Sequence, residues 1–194
     1  MSRFKLDYFK LAVHIGALTP LVWLLVDWRL DQLTFNPIQE ITKRTGRDAL
    51  VLLLLALSCA PLSQVLKWRR ILTVRRALGV YAFVYAFFHF ATFVWLDYMF
   101  DLALIAEGIL KKPFALVGFL AFLILLPLAI TSTNGWIKRL GKNWKRLHRL
   151  IYPAAVLVII HFTWAAKQNF GEPLIYGSVL VLLLLWRVVR KLSK

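Results

Sequence analysis

Apolar residues in this chain fall into six long blocks, unlike the short or alternating runs of a soluble domain. The blocks lie near residues 9–27, 48–66, 76–97, 114–133, 149–166 and 173–190. Each approaches the ~20 residues that an α-helix needs to cross a hydrocarbon core of ~30 Å. No connecting segment is long enough for a separate soluble domain. The pattern predicts an all-α, polytopic membrane protein: a six-transmembrane-helix bundle forming one domain over residues 1–194.

Composition supports the membrane assignment. Hydrophobic residues make up 60% of the chain, and the mean hydropathy is +0.69. A soluble domain of this size has too little interior to bury so much apolar surface. The first block follows Arg3, Lys5 and Lys10, as in a signal peptide, but no small-residue cleavage site comes after it. It is therefore predicted to be an uncleaved first helix.

Charge predicts the orientation of the bundle. The formal net charge is +16, which in a soluble protein would suggest nucleic-acid binding. Here eighteen of the 25 basic residues lie at the two termini and in the second-to-third and fourth-to-fifth connections, all on one side. Because Lys and Arg are retained in the cytoplasm during insertion, both termini are predicted to be cytoplasmic. The basic residues then anchor helices at the lipid surface, and no nucleic-acid partner is expected.

The histidines are the candidate functional residues. His14, His89 and His161 lie inside apolar blocks, and His148 lies at the entrance of the fifth. Ionisable groups inside a bilayer are costly and are usually functional. No Asp or Glu falls in the middle of a predicted span, which argues against a proton-coupled transporter. Neutral imidazole is a good ligand for haem iron, so the histidines favour haem binding.

Depth in the membrane predicts which histidines pair. His89 lies 14 residues beyond Arg75, and His161 lies 13 residues beyond His148, on two spans that run in the same direction. At a rise of 1.5 Å per residue, both are ~20 Å from the cytoplasmic edge. Two imidazoles at one depth on parallel helices predict a bis-histidine haem in the outer half of the membrane.

The residues that share a helix face with these histidines agree with a haem pocket. They are Ala82, Tyr85, Ala86 and Phe93 beside His89, and Ala154, Leu157 and Ala165 beside His161. Small residues leave room for a macrocycle, and Tyr85 and Phe93 are predicted to pack its edges. Close packing of one helix on another is the alternative explanation for the small residues.

His148 has two open interpretations. A second haem nearer the cytoplasm would need a partner at the same level, where the third span offers only Arg75 and Arg76; His14 is a weak alternative. On an ideal helix His148 is turned ~220° from His161, unless Pro153 distorts the helix. Otherwise His148 lies in the basic loop.

Two arginines are candidate partners for haem propionates. Arg75 lies at the cytoplasmic edge of the third span, and Arg47 at the outer start of the second. The planar guanidinium donates to carboxylates in a fixed fork. Anchoring of the helix ends is the alternative role for both.

Several motifs resemble the MsrQ (YedZ) family of the ferric reductase transmembrane superfamily. They occur along nearly the whole chain, at residues 45–47 (Thr-Gly-Arg), 75–79, 131–135, 139–148, 151–153 (Ile-Tyr-Pro) and 161–164 (His-Phe-Thr-Trp). The resemblance implies a haem-binding subunit of the bacterial inner membrane that transfers electrons and is not itself the catalytic subunit. His89, His148 and His161 match the family's haem-linked positions, so one haem b or two are implied.

The resemblance also implies partners. Electrons would come from the quinone pool or a cytosolic flavin reductase and pass to MsrP, a periplasmic molybdopterin enzyme that repairs methionine sulfoxide. FMN is attributed to the family, but no residue here is assigned to it. NADPH oxidases continue into a nucleotide-binding domain, whereas this sequence ends soon after its sixth block, so its electrons are expected from another molecule. A self-standing transmembrane ferric or other metal reductase, and a small transporter or channel with pore histidines, are the alternatives.

Overall fold

The computed structural model describes residues 7–167 and 169–193, which are mostly helical with no strand among them. Six helical segments in this part of the chain are long and apolar enough to cross a membrane, so the predicted all-α six-helix fold is confirmed. The helices are α1 (Tyr8–Arg29), α2 (Pro37–Val65), α3 (Arg75–Ala91), α4 (Leu102–Leu110), α5 (Pro113–Ile130), α6 (Asn134–Leu140), α7 (Lys142–Leu147), α8 (Ile151–Ala165) and α9 (Gly171–Leu192).

Helix α2 begins at Pro37, well before the apolar block predicted from residue 48. The Asn36 side chain accepts a hydrogen bond from the Gln39 backbone N–H (3.1 Å), and Pro37 occupies the first turn. Both features favour a helix start. Asp48 therefore lies well inside α2 and is partly buried. Asp48 is the first residue of the predicted apolar block, so the prediction that no Asp or Glu falls in the middle of a span is unchanged.

The connections between spanning helices are also largely helical. A 3-10 helix (Arg69–Thr73) precedes α3, and a wide π-helical turn (Thr92–Asp97) extends it. Between α6 and α7, Gly141 has a φ of +50°, a backbone conformation that glycine adopts without strain. A 3-10 turn (His148–Leu150) joins α7 to α8.

Two helical hairpins, α2–α3 and α5–α8, form the centre of the bundle, because the most extensive interhelical packing is between α2 and α3 and between α5 and α8. Buried side chains such as Leu50, Leu53 and Ala154 lie where these helices meet. Helices α1 and α9 lie at the periphery and expose large apolar side chains such as Trp23 and Leu182. An apolar exterior of this kind is suited to lipid.

Tyr85 fixes α3 against α1. Its hydroxyl donates to the Ala17 carbonyl (2.8 Å) and accepts from the Leu21 N–H (3.0 Å). These two groups flank Pro20, which interrupts the hydrogen bonding of α1. The predicted role of Tyr85 at a haem edge needs correction, because its hydroxyl binds α1. Phe93 likewise packs against Tyr98, with ring centres 4.7 Å apart.

The predicted basic side of the bundle is the end at which α1, α3 and α8 begin, and we name it the basic end. There Arg70 donates to Asp7, linking the 3-10 helix to the start of α1. Arg3, Lys5 and Lys194, which contribute to the predicted orientation, lie outside the described residues. Which side of the membrane the basic end faces stays a prediction.

Candidate functional site

His89 of α3 and His161 of α8 face each other across the gap between the two hairpins. The centres of their imidazole rings are 5.9 Å apart, and the ring planes are inclined by 80°. Both side chains are partly buried. The structure thus brings together the two histidines that depth alone had paired.

Each ring is held through Nδ1 by a backbone carbonyl. His89 Nδ1 donates to the Thr42 carbonyl of α2 (2.9 Å), and His161 Nδ1 donates to the Phe114 carbonyl of α5 (2.7 Å). A carbonyl oxygen can only accept, so the proton of each neutral imidazole is on Nδ1. The Nε2 lone pair of each histidine is then available to a metal, and the carbonyl bound at Nδ1 orients the ring.

The spacing of the rings suits one metal between them. Metal–imidazole bonds are about 2 Å long, so one ion shared by two Nε2 atoms places the ring centres about 6 Å apart. The observed 5.9 Å meets this requirement. Imidazole is a common protein ligand of haem iron. The donor set therefore fits haem.

Aromatic residues fill the contact between α3 and α5, and an apolar groove lies beside the histidine pair. Phe122 of α5 stacks with Phe90 of α3 (ring centres 4.9 Å apart) and with Phe83 (5.5 Å). Near the start of α5 an apolar groove of about 460 Å³ is lined by Pro113, Phe114 and Trp164. The Phe114 ring centre is 6.2 Å from that of His161, so the groove adjoins the histidine pair.

His148 is not near another histidine ring among the described contacts. Its Nε2 is 3.0 Å from Thr131 Oγ1, and its ring stacks on Trp144 with centres 3.9 Å apart. The Trp144 indole N–H donates to the Thr131 carbonyl (2.8 Å). His148 therefore belongs to a polar cluster at the basic end.

The angular argument about His148 needs correction. It assumed one ideal helix from His148 to His161, whereas His148 starts the 3-10 turn before α8. Pro153 lies in the first turn of α8, and Arg149, four residues before it, lies in that 3-10 turn. Because a proline ring clashes with the carbonyl of residue i−4, this departure from the α-helix agrees with the distortion suggested for Pro153.

The other candidates lie apart from the histidine pair or at its rim. His14 is exposed on α1, and its Nδ1 is 2.9 Å from the Tyr81 hydroxyl. Arg75 is partly buried at the start of α3. Arg47 follows Gly46, which lies beside the His89 ring, but its guanidinium pairs with Glu172 of α9 (3.0 Å).

Sequence reasoning missed two groups of residues. The carbonyl acceptors are backbone atoms and leave no signal in residue type. An ion-pair cluster at the end opposite the basic end joins α1 to α2: Arg44 donates to Asp27, which is only 6% exposed, and also pairs with Glu40 (2.5 Å). The Glu40 and Arg44 spacing of i and i+4 could have indicated the second pair, had this segment been predicted as helix.

Comparison with known proteins identifies the family. Residues 45–159 match the family described as ferric reductase like transmembrane component. The protein-methionine-sulfoxide reductase heme-binding subunit MsrQ of Herminiimonas arsenicoxydans is 45% identical over 187 residues, which cover 95% of this chain and 86% of that protein. The chain belongs to the MsrQ family. The resemblance seen in the motifs is thus confirmed.

Further MsrQ relatives are equally similar. The heme-binding subunit MsrQ of Xanthomonas campestris pv. campestris (strain 8004) is 45% identical over 192 residues, with 95% of this chain and 87% of that protein covered. That of Xanthomonas euvesicatoria is also 45% identical over 192 residues. No solved structure matches the chain. With six spanning helices and a transmembrane family, this member of the MsrQ family is a multi-pass membrane protein.

Proposed function

We propose that this chain is the haem-binding, electron-transferring subunit of a methionine sulfoxide reductase system. It carries electrons across a bacterial inner membrane, with both termini in the cytoplasm, to a periplasmic molybdopterin reductase of the MsrP type. The observation that supports this most directly is the pair of histidines with facing rings 5.9 Å apart and both Nδ1 atoms bound to carbonyls. The printed names of the relatives, which are heme-binding subunits, support the same cofactor.

In this proposal His89 and His161 hold haem b through their Nε2 atoms. Bound haem supplies a one-electron carrier. The Thr42 and Phe114 carbonyls keep the two imidazoles in the ligating tautomer and increase their basicity. Phe90 and Phe122 stack on each other where α3 meets α5, which keeps that helix contact apolar.

The two ends of the bundle have different roles in the proposed electron transfer. The histidine pair is nearer the end that we assign to the periplasm, where a reductase partner would accept electrons. The donor, either the quinone pool or a cytosolic flavin reductase, would act from the basic end or from within the membrane. Arg47 is proposed to meet the propionates of this haem, which requires exchanging its exposed pair with Glu172. Arg75, at the basic end, is proposed to meet those of an inner haem. FMN is retained only as a family expectation, with no residue assigned.

A second, inner haem would be held by His148. Its place at the basic end supports this, since an inner carrier would connect a cytoplasmic donor to the histidine pair. To bind haem iron through Nε2, His148 would have to lose its contact with Thr131. Otherwise it would bind the iron through Nδ1.

Among the alternatives, a self-standing metal reductase would use the same haem but pass electrons to a soluble metal complex. A small transporter or channel gains support from one feature, the partly buried Asp48 within α2. A transporter would need neither haem nor the facing geometry of the histidine pair.

The test measures haem in the purified chain and in His89→Ala and His161→Ala. We expect an oxidised-minus-reduced visible spectrum of b-type haem in the wild type, and loss of that haem in each variant without loss of membrane insertion. Thr163→Ala, which removes a hydroxyl from the same turn of α8 as His161, is the matched control and should keep wild-type haem. Unchanged haem in either histidine variant would refute the assignment.

The partner is tested separately. The reduced chain is mixed with a purified MsrP-type reductase and methionine sulfoxide, and reoxidation of the haem is followed. Rapid reoxidation that depends on the reductase is expected. Equal reoxidation by ferric citrate with no response to the reductase would favour the metal-reductase alternative.

A further inference from the structure

The two hairpins hold their histidines in the same way, at the same spacing. In each, a carbonyl accepts from a histidine 47 residues later, Thr42 from His89 and Phe114 from His161. In each, the residue four positions after that carbonyl is a glycine, Gly46 or Gly118. Each glycine lies against the imidazole of its own hairpin.

The helical repeat explains this arrangement. In an α-helix the carbonyl of residue i bonds to the N–H of residue i+4, which lies one turn along on the same face. A carbonyl has a second lone pair, which can accept from an imidazole that approaches from the side. That imidazole must then lie over the Cα of residue i+4. Only glycine, with no Cβ, leaves the space there.

The available space is small in both hairpins. A Cβ added at Gly46 would lie 2.9 Å from His89 Nδ1, and one added at Gly118 would lie 2.6 Å from His161 Nδ1. Carbon and nitrogen atoms that are not bonded do not approach so closely, so the ring would have to move. Gly79 of α3 offers a contrast, because a Cβ there would meet no atom within 4 Å.

We propose that Gly46 and Gly118 are positioning residues that determine where the two imidazoles present Nε2. This inference rests on the proposed function, in which the pair holds haem iron. A methyl group at either position pushes the ring away from its carbonyl and towards the opposite histidine. The Nδ1 hydrogen bond is then weakened and the Nε2 lone pair is redirected.

Close helix packing would also explain glycine at these positions, since small residues let helix backbones approach. The contacts distinguish the two explanations: the three nearest atoms at each of these glycines all belong to an imidazole, and none is backbone. Intrinsic helix propensity alone predicts that a Gly→Ala substitution stabilises the chain, because Ala is favoured over Gly by about 1 kcal/mol in a helix.

The experiment compares Gly46→Ala, Gly118→Ala and Gly79→Ala with the wild type, using haem-loaded full-length chain in detergent. The measurements are haem per inserted chain, the low-spin ferric EPR signal and the midpoint potential. Loss of a group that hydrogen-bonds a ligating histidine typically lowers metal affinity about 10- to 100-fold. We therefore expect the affinity for haem to fall by about that factor, and the haem per inserted chain to fall with it. Gly118→Ala should have the larger effect, because its contact is closer.

We also expect a changed EPR signal and a raised midpoint potential in the haem that remains, because a weaker Nδ1 hydrogen bond makes the imidazole a poorer donor to ferric iron. Gly79→Ala should match the wild type. Wild-type haem content, EPR signal and potential in both Gly46→Ala and Gly118→Ala would overturn the inference, even if less chain is inserted. If His89→Ala and His161→Ala also keep their haem, the proposed function itself has failed.

Discussion

Replacement of Tyr85 by phenylalanine tests how α3, the helix of His89, is held in place. Tyr85 is 1% exposed, and its hydroxyl bridges the Ala17 carbonyl and the Leu21 N–H on either side of Pro20. The substitution removes both hydrogen bonds and leaves the shape of the side chain almost unchanged. Any loss of stability can therefore be attributed to the hydroxyl.

The magnitude follows from the two backbone groups left behind. A buried donor or acceptor without a partner costs about 1–3 kcal/mol, which gives an upper limit of about 6 kcal/mol for the pair. Hydrogen bonds inside membrane proteins average only about 0.6 kcal/mol when measured, since the groups find other partners. Ala17 and Leu21 can partly rebond to each other as helix neighbours. We therefore expect Tyr85→Phe to lower the free energy of unfolding by about 1–3 kcal/mol.

Unfolding is followed by circular dichroism as the detergent-solubilised chain is titrated with SDS. Tyr81→Phe is the control, because the Tyr81 hydroxyl is hydrogen-bonded to the exposed His14 ring and should matter less. The decisive comparison is a double-mutant cycle with Pro20→Ala, which lets α1 form its ordinary hydrogen bonds. In that background Tyr85→Phe should cost at least about 1 kcal/mol less. Strictly additive effects would show that the hydroxyl does not compensate for Pro20.

Three other predictions concern charge, haem content and orientation. Arg44→Ala should lower the free energy of unfolding by about 2–4 kcal/mol in the same SDS titration, since it leaves the buried Asp27 unpaired. Arg47→Ala is the control, because it breaks an exposed pair worth about 0–1 kcal/mol. Equal losses in the two variants would contradict this prediction. His148→Ala should remove one of two haems in a pyridine haemochrome measurement, and equal haem per chain would withdraw the inner haem. A reporter fused after Lys194 should report a cytoplasmic location, because eighteen of the 25 basic residues are predicted on the same side as the C-terminus. A periplasmic location would reverse the assignment of the donor and acceptor ends.

The spans and the histidine pair could be predicted because both depend on one regular quantity, the rise of an α-helix. Apolar length gives the number of helices, and residues counted from the basic ends of two parallel helices give the depth of His89 and His161. Their rings do lie together. Depth is insensitive to helix rotation, so small errors in the ends of the spans did not matter.

Features that depend on helix rotation or on backbone atoms could not be predicted in this way. The angle between His148 and His161 fails because a 3-10 turn interrupts the path between them. The polar first turns of α2 carry no hydropathy signal, so hydropathy predicts a loop where the structure has the helix that presents Thr42 and Gly46. The histidines are held by backbone carbonyls, which every residue type has, so the sequence does not indicate which carbonyls these are.

The separation of the two imidazoles depends on two independent parts of the structure. Within each hairpin the carbonyl and the glycine fix one ring relative to its own helices. Between the hairpins, the packing of α3 on α5 sets the distance, and there Phe122 lies against both Phe83 and Phe90. A change at Phe122 would shift one hairpin relative to the other and leave both Nδ1 hydrogen bonds intact. A change at Gly46 or Gly118 would weaken an Nδ1 hydrogen bond and leave the packing of the two hairpins intact. The position of each histidine ring and the spacing between the two rings are therefore separable properties of this site.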